Sequence, residues 1–76
     1  MKDIIAFIAS RLVDDPDAVD TNEREEDGTV TVELRVAKED LGKVIGKQGR
    51  TARAMRAVLA AVAAKEDKRS RLEILE

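Results

Sequence analysis

Leu41-Gly42-Lys43-Val44-Ile45-Gly46-Lys47-Gln48-Gly49-Arg50 is the one stretch of this chain that breaks its own helical propensity. Residues 38–45 read as a short helix, with Glu39 and Asp40 in the first turn where the helix dipole favours acids. From about Arg50 to Ala64 a long helix follows, seven of its residues between 52 and 64 being alanine, the best helix former. Gly46 and Gly49 stand between the two and cost backbone entropy, so the chain needs a tight turn or a close backbone approach there. Two readings fit. The turn is a plain helix–helix connector, or it seats a phosphodiester. In the second reading the missing Cβ atoms of Gly46 and Gly49 let a phosphate lie on backbone N–H groups, beside the positive end of the next helix. Lys47 and Arg50 add charge, with Lys43 one turn earlier. A Walker-type phosphate loop fails on spacing, because Gly42 and Gly46 enclose three residues instead of four and Gln48 follows Lys47 where Ser or Thr is needed. A helix-hairpin-helix clip on a nucleic-acid backbone stays open on these residues alone.

Upstream lies the clearest strand: Val30, Val32, Leu34 and Val36 alternate with Thr29, Thr31, Glu33 and Arg35, one face for a core and one for water. Glu26-Asp27-Gly28 predicts a turn, and the mostly polar residues 18–25 predict a short edge strand that completes an antiparallel hairpin. Before these, Ile5, Ile8, Ala9 and Leu12 repeat at i, i+3, i+4 and i+7, the stripe of an amphipathic helix. Asp3 suits its N-cap, and Asp14-Asp15-Pro16 stops it. Downstream, 65–69 is a charged loop and 70–75 a last strand with Leu72 and Ile74 on one face. The order is α-β-β-α-α-β. A return to the sheet through two helices predicts a parallel pair with a right-handed crossover. The result is an α+β fold, a three-stranded mixed sheet with its helices on one face.

The chain has 76 residues, which allows one domain spanning 1–76. Its 43% apolar share is that of a folded chain despite 39% charged residues, and no apolar run is long enough to cross a membrane. With no Cys and no His, disulfides, thiolate chemistry, Cys/His metal sites and imidazole catalysis are excluded. No nucleophile–base pair is visible, so neither an enzyme nor a cofactor is expected. Phe7 is the only aromatic, which excludes aromatic base-stacking platforms. The net charge of −2 hides a segregation. Residues 1–40 carry a net −7 and 41–76 a net +5, with six basic residues and no acid from 41 to 65. On charge alone that basic segment fits a solvated helix face and a polyanion site equally, since screening confines attraction to about 10 Å.

Val44-Ile45-Gly46-Lys47-Gln48-Gly49-Arg50 resembles the Val-Ile-Gly-x-x-Gly signature of KH RNA-binding domains, and the element order resembles the type II KH topology. Length and the run from Leu41 to Ala54 further resemble the small bacterial KH proteins of the KhpA group. The resemblance covers essentially the whole chain. It implies a noncatalytic, cytoplasmic binder of single-stranded RNA with weak sequence preference, acting in post-transcriptional regulation as an RNA chaperone. It also implies homodimers, and heterodimers with a larger KH protein of the KhpB (Jag) type. Carried onto this chain, Gly46, Lys47, Gln48 and Gly49 become the GXXG clamp, holding about four nucleotides. Arg50, Arg53 and Lys43 become phosphate contacts. Ile45 and Val44 become apolar floor or core, with core packing expected of both and of Val36. Arg56, further along, fits solubility and helix propensity as well as it fits a phosphate.

At 100° per residue the helix 50–64 divides into three lanes. Ala52, Met55, Leu59 and Val62 should face the sheet, with Arg50, Arg53 and Arg56 together on the far side. Ala54, Ala57, Val58 and Ala61 make a small, uncharged lane. These residues either promote the helix or admit a second helix, and the resemblance favours an isologous dimer interface. An alternative function follows, a protein–protein adapter whose main role is pairing with the larger KH partner.

Overall fold

The computed structural model describes residues 1–76. Helix α1 is Lys2–Leu12, strand β1 Asp20–Glu26 and strand β2 Thr29–Arg35; then come helix α2, Leu41–Ile45, helix α3, Arg50–Ala64, and strand β3, Arg69–Leu75. Short 3-10 turns at Pro16–Ala18, Lys38–Asp40 and Lys47–Gly49 join them. The sheet order is β1-β2-β3. β1 pairs antiparallel with β2 from Asp20↔Arg35 to Glu26↔Thr29, and β3 pairs parallel from Thr29↔Arg69 to Arg35↔Leu75. The expected α-β-β-α-α-β order and mixed three-stranded sheet are therefore the observed ones.

Alternation along β2 builds the core. Val30, Val32 and Leu34 are buried on the helix-covered face and meet Ile5 and Ala9 of α1, Val44 of α2, Met55 and Leu59 of α3, and Leu72 of β3. The other face is an ion-pair surface. Arg24 on β1 reaches Glu33 on β2 at 2.7 Å and Glu73 on β3 at 3.6 Å, so one guanidinium bridges two carboxylates that face each other across the parallel pair.

Several boundaries differ from expectation for identifiable reasons. α1 starts at Lys2, which puts Asp3 inside the first turn instead of at the cap. β1 is not a short strand: its seven residues pair with the whole of β2, because a neighbour supplies every ladder hydrogen bond that its polar sequence does not discourage. The expected helix over 38–45 divides into the turn Lys38–Asp40 and α2, since the Asp40 side chain turns inward at the junction. Along α1, Leu12 and Phe7 stay exposed, with the Arg11 guanidinium 4.9 Å from the centre of the Phe7 ring.

The Arg24 hydrogen bond, followed by that of Asn22 at 3.3 Å, holds the Glu33 carboxyl below the usual carboxylate range. Such a group takes up its proton more readily when the chain unfolds. Its stabilisation is complete above the ordinary glutamate pKa of about 4.3 and disappears as pH falls through the lower folded value. The melting temperature should therefore drop between about pH 5 and about pH 3. Glu33→Gln should flatten that decline, and calorimetry over a pH series measures it.

Candidate nucleic-acid interface

The turn between α2 and α3 is built from left-handed backbone. Gly46 ends α2 at φ 78° and ψ 169°, Gln48 sits at φ 59° and ψ 25°, and Gly49 at φ 73° and ψ 13° leads into α3. The two glycines are required for different reasons. A Cβ on Gly46 would strike Thr51 in the first turn of α3, 2.7 Å from its Cβ and 2.9 Å from its backbone nitrogen. A Cβ on Gly49 would meet nothing within 4 Å. The space where a Gly46 Cβ would lie is filled by Thr51, whereas that over Gly49 is open. The amides differ from expectation. Gly46 N–H donates to Gly42 O at 2.8 Å and Gly49 N–H to Gly46 O at 3.0 Å, so both are spent on closing the turn.

Two arginines brace the strained Gln48. Arg50 Nη2 donates to its side-chain Oε1 at 2.8 Å and Arg53 Nη2 to its backbone carbonyl at 3.3 Å. Lys47, Arg50, Arg53 and Arg56 are all exposed and none is ion-paired. Lys43 is the exception among the expected contacts. Its Nζ lies 2.8 Å from Asp14 and 3.6 Å from Asp40, pairs that push its pKa up, Asp14 most. That lysine is ion-paired within the chain. Val44 and Val36 are core, as expected, whereas Ile45 is 38% exposed at the mouth of the turn and is not core.

α3 presents two different flanks. Its inward lane is Ala52, Met55, Leu59 and Ala63; Ala63 takes the place expected for Val62, which is only partly buried. Nor do the arginines share one lane. Arg56, with Leu59 and Ala60, lines a cleft against Ser70, Arg71 and Leu72 of β3. Arg50 and Thr51 line a groove on the opposite flank, with Ala54, Met55 and Val58 facing Ile8 and Leu12 of α1. The groove is apolar and encloses about 340 Å³. Of the expected interface residues, Ala54 and Val58 lie in it; Ala57 and Ala61 are exposed outside it. Sequence reasoning missed Thr51, Ser70, Arg71, Ile8 and Leu12 as surface-forming residues. The only signal for Thr51 was a compact side chain five residues beyond Gly46.

A three-stranded mixed sheet, helices on one face and a glycine-flanked turn joining the two crossover helices define a type II KH domain. The chain belongs to the KhpA/KhpB KH-domain family, whose model matches residues 2–74. It is 54% identical over 76 residues to an Aquifex aeolicus protein, covering 100% of this chain and 96% of the relative. It is 51% identical over 75 residues to one from Caldanaerobacter subterraneus subsp. tengcongensis, covering 99% and 100%, and 47% identical over 76 residues to one from Halalkalibacterium halodurans, covering 100% of both. All three bear the name RNA-binding protein KhpA. No solved structure gives a significant match. No helix of the chain is long and apolar enough to cross a membrane.

Gly46→Ala combines a positive φ with a clash against Thr51, whereas Gly49→Ala has only the positive φ. The first should lower stability by about 3 kcal/mol or more and the second by about 1–2 kcal/mol. Urea unfolding of the two variants compares them directly.

Proposed function

We propose that residues 1–76 act as one noncatalytic KH domain that binds single-stranded RNA through the GXXG turn at 46–49. The observation that carries this reading is a set of unpaired cations, Lys47, Arg50 and Arg53 at an exposed left-handed turn and Arg56 along the cleft beside β3. Cations without carboxylate partners have no attraction to give up when a phosphate arrives, so they contribute to affinity by releasing counterions from the polyanion. Gly49 leaves the backbone bare for close approach, and the exposed Ile45 offers apolar surface to an unstacked base. The cleft between Arg56 and the Ser70–Leu72 segment of β3 extends this surface. The names of the relatives support the same ligand. With no aromatic near the turn, sequence preference is weak, which suits an RNA chaperone in post-transcriptional regulation in the cytoplasm.

Lys47→Asp with Gln48→Asp places like charge where phosphate should lie, at exposed positions. Circular dichroism should show the fold retained, and gel shifts should show RNA binding lost. Wild-type affinity should fall with salt at a log–log slope of roughly −0.7 per phosphate engaged, so about two to four contacts give a slope near −1.4 to −2.8. Unchanged affinity in the double variant, or a flat salt titration, removes the clamp.

A second reading concerns self-association, and the apolar α1–α3 groove favours it. Val58, 37% exposed, and Ala54 stand beside Ile8 and Leu12 on the flank opposite Arg56. Two copies could pair across that flank as a homodimer while both β3-side clefts stayed open. The same face would serve a heterodimer with a KhpB (Jag)-type protein, the adapter role. Val58→Asp would bury charge from both copies at such an interface. It should give a folded monomer by light scattering; a persistent dimer places the interface elsewhere.

A further inference from the structure

Asp40 is 2% exposed, an unusual place for a carboxylate in so small a core. Its Oδ2 accepts the backbone N–H of Asp15 at 3.1 Å, and its Oδ1 lies 3.6 Å from Lys43 Nζ, which also holds Asp14 at 2.8 Å. Burial acts to raise its pKa, but the N–H groups of Asp15 and Asp14, with Lys43, outweigh it and keep the carboxyl charged. These contacts join two segments 25 residues apart, the connection leaving α1 and the start of α2.

α2 has only five residues and ends at Gly46. A helix that short has no stability of its own, so its orientation is set by what grips it. Val44 is one grip, fully buried against the sheet and helices. Leu41, part-buried, packs against the same core, but apolar contacts are non-directional and leave the helix able to rock on them. The Asp40 contacts supply a second grip at the other end, about 7.5 Å along the axis from the turn. Lys43 and Ile45 lie about 100° to either side of Val44 on the helical wheel. Lys43 thus faces the α1–β1 connection, and Ile45 the opposite flank.

We propose that Asp40 is a positioning residue for the Gly46–Gly49 turn, anchoring α2 to the backbone at Asp15, and that Lys43, which links Asp40 to the Asp14 side chain, belongs to this anchor instead of to the phosphate-contacting set. The effect on RNA rests on the binding reading given above; the anchor itself does not.

The experiment uses the full chain and the variants Asp40→Asn, Lys43→Gln and Lys47→Gln, with a short fluorescent oligouridylate titrated over a salt series. Asp40→Asn should weaken binding by about five-fold, the scale of coupling through packed neighbours, with the salt slope unchanged. Lys43→Gln should leave the slope unchanged as well, while Lys47→Gln makes it shallower by about 0.7, the value of one phosphate on a single strand. A Lys43→Gln slope shallower by that amount overturns the assignment of Lys43 and holds even if Asp40→Asn fails to fold. Folded Asp40→Asn with wild-type affinity overturns the positioning role. Amide hydrogen exchange without RNA separates this inference from the binding reading. Gly46 and Gly49 should exchange faster in Asp40→Asn while Val32 and Leu34 do not, and unchanged exchange at the glycines overturns the anchor whether or not RNA binds.

Discussion

The parallel pairing of β3 with β2 is the constraint from which the rest of the molecule follows. β2 ends at Arg35, yet β3 must begin beside Thr29, at the other end of the same strand. A hairpin cannot make that connection; the chain has to travel back along the sheet before it can pair. Residues 36–68 make the journey, and they cover the apolar face of β2 as they go. Two helices are needed to fill that face, and wherever two helices meet, the backbone between them has to reverse. The turn at 46–49 is that reversal. Its exposure follows from its place in the crossover.

Much of this was legible in the sequence, because the dominant signals were local. The alternation from Thr29 to Val36 specified β2 and its core face, and the alanine-rich run specified α3. What failed to be legible depended on contacts between distant segments. Asp40 looked like a solvated first-turn acid, and nothing near it in sequence indicates that the amide of Asp15 would draw it inside. The spacing of Arg50, Arg53 and Arg56 described directions around an axis. It could not say that α1 would stand against one flank and β3 against the other, which is what separates Arg50 from Arg56. Gly46 was read as serving either a tight turn or a close backbone approach, and its positive φ and packing fit the first. The neighbour that excludes a side chain there is Thr51, half-buried in the first turn of α3.

That difference matters for how the turn is understood. A surface pre-shaped by internal packing has its conformational cost met at folding, before any ligand arrives. Gly46 against Thr51, the two closed amides and the arginine bonds to Gln48 all act in that direction. The turn is a rigid presentation of cations more than a row of free backbone donors.

The segregation of charge along the chain becomes a segregation in space. β1, whose sequence Asp-Thr-Asn-Glu-Arg-Glu-Glu carries four acids and one base, is one edge of the sheet and packs under α1. α3 lies over β3, the opposite edge, with its uncompensated arginines. A molecule with nearly balanced net charge therefore carries its charges unevenly from one edge to the other. In the field of a polyanion such an arrangement would experience a torque before contact, swinging the α3 edge forward and the acidic edge away. Encounters would be pre-oriented, and association would be faster at low ionic strength than the net charge of −2 suggests. The same acidic edge resists the addition of a stray strand, so β1 guards the sheet while it orients the molecule.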